Sequence, residues 1–172
     1  MLYPIIFSLM NTTMFFGMAG SGKEVAIRNE VVINRPIETV FNFLKNFENM
    51  PRWNYYLVSV TNTSGGRIGV GTVFPQVRKS DSQYYKITGL EYPGLITMET
   101  MPPERHLIMN FKITQKGSTT VLEDTWYIKA SPLLALVAKN KVRRAVYANL
   151  LKLKTLLENG IVTLQDGRIE KL

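Results

Sequence analysis

The chain has 172 residues, 45% of them hydrophobic, and a formal net charge of +8, so its length suits one domain with a substantial core. It contains no cysteine and one histidine, His106. Disulfides, thiol nucleophiles, thiolate metal sites and multi-histidine zinc sites are therefore excluded, and we expect neither a metal site nor a cofactor.

The N-terminal segment carries no charged side chain over residues 1–22. Its apolar run lacks the basic residues that begin a secretory signal, and polar residues 11–13 interrupt it before it reaches the ~20 apolar residues of a membrane span. We interpret residues 1–23 as an extension of a cytoplasmic protein, outside the folded domain. A packed apolar arm, or secretion or membrane anchoring through this segment, are the alternatives.

A glycine-rich stretch over residues 17–24 nearly matches the phosphate-binding loop of nucleotide-binding proteins. That loop needs a serine or threonine after its lysine and a helix behind it. Here Glu24 follows Lys23, and the next residues are rich in valine and isoleucine, as in a strand. The pattern therefore argues against nucleotide binding.

The next elements are a strand, two short helices and six further strands. A first strand is predicted over residues 24–34, a short amphipathic helix from Pro36 to about Phe47, and a second short helix or turn over residues 48–53. Six further strands are predicted over residues 55–63, 72–79, 83–92, 95–101, 105–115 and 119–129. Short turns between consecutive strands indicate an antiparallel meander.

The last long element is an unbroken helical pattern over residues 132–159, which Gly160 ends. Such a helix is about 42 Å long, and its apolar stripe needs a large surface to pack against. The stripe consists of Ala135, Ala138, Val142, Ala145, Val146, Asn149, Leu153, Leu156 and Leu157. A curved sheet that grips this helix is expected to leave a hollow, where we place the function. The tail over residues 161–172 is predicted to be an extra strand or loose.

The excess positive charge is concentrated in this helix. Residues 139–154 include six basic side chains and no acidic one. Such a stretch is most often a solvated helix face, although it also suits an acidic ligand or an anionic membrane. No recognisable nucleic-acid-binding module accompanies it. We expect no nucleic-acid partner, and peripheral contact with an anionic membrane stays an alternative.

Four sequence segments resemble a known superfamily. They are residues 32–44 (VINRPIETVFNFL), residues 48–53 (ENMPRW), Ser64 with residues 69–72 (GVGT), and residues 149–154 (NLLKLK). Together they resemble the START-like (SRPBCC) superfamily, and most closely its polyketide cyclase/dehydrase branch. The resemblance implies an α+β helix-grip fold over residues 24–160, with a curved antiparallel sheet of about seven strands around a long C-terminal helix and two short helices after the first strand. It implies little about function, because the superfamily includes cyclases, hydrolases, lipid carriers and ligand sensors.

Two carboxylates are candidates for acid–base chemistry. Asp124 shares one face of its predicted strand with apolar residues such as Trp126, and burial there would raise its pKa. The alternative is an edge position, or pairing with an arginine such as Arg78. Glu99 lies in a similar alternating pattern, and the same reasoning applies to it.

The predicted ligand-binding residues lie on strands, at the expected cavity opening and on the helix. Either Tyr84 or Tyr85 can point inward, because neighbours on a strand face opposite ways. His106 is expected to be exposed or at a rim, and Asn149 to make a structural hydrogen bond or contact a ligand. The predicted set is Trp53, Tyr55, Arg78, Tyr84, Met98, Met109, Phe111, Trp126 and Asn149.

The sequence thus predicts a small binding protein that encloses a hydrophobic or amphipathic molecule, such as a lipid, an isoprenoid or a polyketide-like compound. The first alternative is a cyclase/dehydrase-type enzyme that uses a cavity carboxylate as its acid or base. The second is a carrier that contacts membranes through its basic helix face.

Overall fold

A computed structural model of the protein describes residues 23–103, 106–130 and 132–172. The N-terminal extension up to residue 22 lies outside the described residues. The elements are β1 (Lys23–Ile33), α1 (Ile37–Lys45), a 3-10 helix (Phe47–Arg52), β2 (Leu57–Val60), β3 (Val73–Arg78), β4 (Ser82–Glu91), β5 (Leu95–Thr100), β6 (Leu107–Lys116), β7 (Thr119–Ala130), α2 (Pro132–Asn159), β8 (Ile161–Thr163) and β9 (Ile169–Lys171).

The first seven strands form one antiparallel sheet in the order β1-β7-β6-β5-β4-β3-β2. The first strand therefore pairs with the last one, and the strands between them follow as a meander. The sheet curls around α2, which lies against β1. The predicted α+β helix-grip fold is confirmed. Strand β2 is shorter than predicted because it is an edge strand with a bulge, and the glycine-rich residues after it do not extend its pairing.

The inner face of the sheet and one side of α2 share the hydrophobic core. The buried side chains of α2 are Val142, Val146, Asn149, Leu150, Leu153, Leu156 and Leu157. They include most of the predicted stripe and also Leu150, which the predicted stripe omitted. The side chains of Ala135 and Ala138 lie outside the described residues. Gly160 ends the helix with a φ of +75°, and its N–H donates to the carbonyl of Leu156 over 2.9 Å.

The C-terminal tail folds back as a hairpin of β8 and β9. Val162 and Leu164 pack on Leu156 at the end of α2, and Tyr55 packs against the same cluster. Nη2 of Arg168 donates to the carbonyl of Tyr55 over 3.2 Å. The hairpin is thereby joined to the segment that leads into β2.

Candidate functional site

A cavity lies between the sheet and the middle of α2. It offers about 90 Å³ to water-sized molecules, which is room for several waters at roughly 10–15 Å³ each. Nearly half of the His106 side chain is exposed, so the cavity reaches the surface there. The lining consists of Met50, Asn54, Tyr56, Leu57, Gln76, Arg78, Gln83, Tyr85, Thr100, His106, Leu107, Met109, Trp126, Ile128, Val142, Ala145, Val146 and Asn149.

Two glutamines mark the polar part of the sheet wall. Gln76 on β3 and Gln83 on β4 stand directly opposite each other in the register, and Nε2 of Gln83 lies 3.4 Å from Oε1 of Gln76. Nε2 of Gln76 also lies 3.7 Å from the sulfur of Met50. Both glutamines are buried, so their amides present hydrogen-bonding groups within an otherwise apolar surface.

A partly buried ion pair stands beside these amides. Nε of Arg78 donates to Oδ1 of Asp81 in the turn after β3, and the Arg78 side chain is only 10% exposed. The carboxylate of Asp81 offsets the cost of burying the guanidinium at the cavity wall. Arg78 therefore pairs with Asp81, and not with Asp124 as the sequence had allowed.

Asn149 connects the cavity wall to two other parts of the molecule. Its Nδ2 donates to Oδ1 of Asn54 over 3.0 Å, and its Oδ1 accepts from Nε2 of Gln165 over 3.2 Å. These bonds tie α2 to the residue before Tyr55 and to the C-terminal hairpin. The buried amide is thus hydrogen-bonded on both sides while it lines the cavity.

Asp124 lies behind the cavity wall. It is 2% exposed, and its Oδ2 accepts from Nε1 of Trp126 over 3.1 Å. Burial raises the pKa of this carboxyl to about 8, and the hydrogen bond from Trp126 lowers it only in part. The carboxyl is therefore mostly protonated at neutral pH. The indole of Trp126 lines the cavity whereas Asp124 does not.

Glu99 lies at the rim. It alternates on β5 with Met98 and Thr100, which are buried, so its own side chain points to the opposite face. Its Oε2 is 3.5 Å from Nε2 of His106. The structure therefore separates the two candidate carboxylates, with Asp124 behind the inner wall and Glu99 next to the opening.

The other predicted ligand-binding residues divide between wall and core. Met109 joins Arg78, Trp126 and Asn149 in the wall. Four others are placed elsewhere: Trp53, Met98 and Phe111 are buried in the core, and Tyr84 is 53% exposed. Tyr55 packs on Tyr56 with ring centroids 4.5 Å apart and also contacts the C-terminal hairpin.

Several wall residues were not among the predicted ones, although the alternation of the strands carries a signal for some of them. Tyr85 on β4 lines the cavity next to the exposed Tyr84, whereas Tyr56, which also lines the cavity, precedes β2 and has no such signal. Gln76 and Gln83 fall in inward-facing rows with Phe74 and Tyr85. A polar side chain in such a row is the signal, since a core position would otherwise be apolar.

The basic part of α2 begins beside the cavity. Lys139, Lys141, Arg143 and Arg144 are exposed, and Val142 and Ala145 in the same turns face the cavity. Lys154, further along α2, forms an ion pair: its Nζ lies 2.6 Å from Oε1 of Glu158. Within the described residues, no helix combines the length and apolarity that crossing a bilayer requires.

Solved structures share this fold. A crystal structure of a protein from Thermus thermophilus is similar with a TM-score of 0.63 and 17% identity, over 77% of this chain and 97% of that one. An uncharacterized protein from Bacillus thuringiensis is similar with a TM-score of 0.63 and 16% identity, over 77% and 98%. No curated protein matches the sequence.

The sequence profile of one family covers most of the chain. The family is described as polyketide cyclase / dehydrase and lipid transport, and its profile matches residues 24–158. The match starts in β1 and ends with α2, so it contains the sheet, the long helix and the cavity between them. The chain therefore belongs to the polyketide cyclase/dehydrase and lipid transport family.

Proposed function

We propose that the protein binds a hydrophobic or amphipathic small molecule, such as a lipid, an isoprenoid or a polyketide-like compound, in the cavity beneath α2. The observation that carries this proposal is the composition of the wall. Apolar side chains such as Met109, Ile128 and Val146 surround a few polar groups, among them Gln76 and Gln83. Apolar walls supply affinity, and a small number of placed polar groups orient the ligand.

The first test asks whether a small apolar probe occupies this cavity. The fluorescent amine N-phenyl-1-naphthylamine is titrated into the wild-type protein and into Ala145→Leu, which adds bulk to the wall. Ala148→Leu is the matched control, because Ala148 is also half-buried on α2 but does not line the cavity. We expect A145L to weaken probe binding about tenfold or more, which is ~1.4 kcal/mol, because the larger side chain fills cavity space that the probe needs, and A148L to leave it unchanged. Equal affinities in all three proteins would contradict the proposal.

A second test identifies the natural ligand. The protein is purified from its own cells and examined by native mass spectrometry, before and after denaturation. A bound small molecule that is lost from A145L but retained by A148L would support the cavity as its site. A bound molecule retained equally by both variants would place it elsewhere.

An acid–base enzyme is the second candidate, and the buried carboxyl of Asp124 favours it. A group with a pKa of about 8 can exchange a proton near neutral pH. Among the described residues, Trp126 is the cavity-wall residue that hydrogen-bonds to it. The test follows cyclisation of a linear polyketone thioester by absorbance. Asp124→Asn should abolish turnover, and Glu99→Gln should leave it unchanged because Glu99 lies at the rim. Turnover that survives D124N removes Asp124 from this role.

Contact with an anionic membrane is supported by the position of the exposed cations. Lys139, Lys141, Arg143 and Arg144 stand in the same turns of α2 that border the cavity, so docking through them would bring the cavity close to the lipid. Each cation near an anionic surface contributes about 1 kcal/mol. Flotation with phosphatidylserine-containing vesicles should be lost on the double substitution Arg143→Glu and Arg144→Glu and at high salt. Flotation that is insensitive to both would refute this mode of contact.

A further inference from the structure

Two polar residues face each other on the inner surface of the sheet, behind the cavity wall. Asn29 on β1 and Asp124 on β7 are direct partners in the antiparallel register. Asn29 is 8% exposed and Asp124 is 2% exposed. Directly opposed residues on one face have Cβ atoms about 4.5–5.5 Å apart, so an amide and a carboxyl share one small buried space.

Each of these residues has a buried polar atom without a hydrogen-bond partner among the described residues. The atoms are Nδ2 of Asn29 and Oδ1 of Asp124. Most buried donors and acceptors in proteins are satisfied, and leaving one unsatisfied is costly. Here the two unsatisfied atoms lie on neighbouring side chains, so one group placed between them can bond to both.

Trp126 separates this pair from the cavity. Its ring belongs to the wall, and its Nε1 donates to Oδ2 of Asp124 over 3.1 Å. The carboxyl therefore lies directly at the indole edge. The cavity itself offers about 90 Å³, whereas ligand sites commonly measure about 300–1,000 Å³. A ligand of the proposed class needs additional space, and turning the indole would open space toward the pair.

The surroundings of the pair select an uncharged ligand group. The inward-facing neighbours described on β1, β6 and β7 carry no charge; they are Ile27, Val31, Met109, Phe111, Ile113, Leu122 and Trp126. A ligand anion or cation would lose its hydration there without gaining an opposite charge. Because burial keeps the Asp124 carboxyl mostly protonated at neutral pH, in line with its raised pKa, the pair offers N–H and O–H donors together with carbonyl acceptors.

We propose that Asn29 and Asp124 form a second, inner subsite, which a ligand reaches when Trp126 turns aside and which binds an uncharged hydroxyl group of that ligand. This inference rests on the proposed binding function. It assigns the ligand class as an amphipathic alcohol, with its hydroxyl inside and its apolar body in the cavity.

The test compares two probes of the same shape, 2-naphthylmethanol and 2-ethylnaphthalene, which differ in a hydroxyl against a methyl group. Both are measured by displacement of N-phenyl-1-naphthylamine from the full-length protein. Asp124→Leu and Asn29→Leu should each weaken the binding of 2-naphthylmethanol about tenfold, as expected for one or two lost hydrogen bonds. Neither substitution should change the affinity for 2-ethylnaphthalene. Asp124→Asn should largely keep the affinity for the alcohol, because the amide is also neutral and donates hydrogen bonds.

Two controls make the result specific. Thr125→Val changes a buried polar residue on the other face of β7 and should affect neither probe. In a Trp53→Phe background the indole N–H signal of Trp126 can be followed by NMR, and it should shift more when the alcohol binds than when 2-ethylnaphthalene binds. Circular dichroism verifies that each variant is folded.

The possible outcomes distinguish the inference from the function on which it rests. If no probe binds the wild-type protein, the proposed function itself fails. If both probes bind the wild type, but D124L, N29L and D124N change the affinity for the alcohol and for the hydrocarbon equally, the inner subsite is refuted while cavity binding stands. A Trp126 signal that shifts equally with both probes would likewise contradict recognition of the hydroxyl.

Discussion

Two neighbouring stretches of α2, residues 142–149 and residues 150–157, face the sheet with opposite results. Over residues 142–149, the cavity end, the inward side chains are Val142, Ala145, Val146 and Asn149, and the cavity lies beneath them. Over residues 150–157, the closed end, they are Leu150, Leu153, Leu156 and Leu157, each no more than 1% exposed. Longer leucine side chains fill the space to the sheet, whereas alanine and valine do not. Stability and binding are thus expected to reside in different turns of one helix.

The largest expected effect comes from the closed end. Leu153→Ala should lower the free energy of unfolding by about 2–5 kcal/mol, because Leu153 is fully buried in the main core and its loss leaves a void. Leu151→Ala is the matched control, since Leu151 is 40% exposed on the same stretch of helix, and it should change stability by about 0.5 kcal/mol or less. Urea unfolding measures both variants.

The same two variants test whether stability and probe binding depend on different parts of α2. L153A should bind N-phenyl-1-naphthylamine as the wild type does, at temperatures where it is folded. A loss of probe affinity as large as that of A145L would show that the closed end also determines binding, and would contradict the separation of stability and binding between the two stretches.

On β7, the buried Asp124 lies between Leu122, which belongs to the core, and Trp126, which lines the cavity. Its pKa is about 8 in the folded protein, against 3.8 as the ordinary value. The contribution of this carboxyl to stability is therefore fully present below pH 3.8 and is lost as the pH rises to about 8, because only the unfolded chain releases the proton in that window. The free energy of unfolding of the wild type should fall, relative to that of D124N, by on the order of a few kcal/mol.

Urea unfolding of the wild type and of D124N at several pH values between about 4 and 9 measures this difference. His106 also lines the cavity, so His106→Gln in both backgrounds serves as the control. Parallel stability curves for the wild type and D124N would mean that Asp124 ionises as an ordinary exposed carboxyl does.

The smallest expected effect comes from the hairpin that covers the closed end. Asp166 accepts from Nζ of Lys79 over 2.7 Å and from Nε of Arg168 over 3.0 Å. Partial burial opposes ionisation, but these two bonds outweigh it and lower the pKa of Asp166 to about 2. Asp166→Asn should cost about 1 kcal/mol or less at neutral pH, since the pairs are solvated. This contribution is present above pH 3.8 and is lost as the pH falls through about 2.

Chemical denaturation of D166N at low and high salt measures this contribution, which should shrink as salt increases. Glu170→Gln serves for comparison because Glu170 is only loosely paired, with Oε1 4.0 Å from Nη1 of Arg168. Probe binding should not change in either variant. A measurable loss of affinity in D166N would mean that the hairpin influences the cavity, for which the bond from Gln165 to Asn149 offers a route.

Much of the fold follows from local patterns in the chain. The long helix has the predicted bounds, Pro132–Asn159, because its apolar period, the proline at its start and Gly160 after its end are all local signals. The burial of Asp124 also follows from alternation along a single strand. The extent of β2 was less predictable, since an edge strand lasts only as long as its one neighbour pairs with it.

The sequence by itself determined which residues form strands and helices and which side chains share a face, since period and turn chemistry act over a few residues. Only the tertiary structure decided which buried residues meet a cavity and which meet a neighbour. Trp53 and Trp126 are both large aromatic residues near the sheet, yet one packs in the core and the other lines the wall. Only the tertiary structure also decided that Asn29 lies opposite Asp124, because the register between β1 and β7 joins residues that lie far apart along the chain.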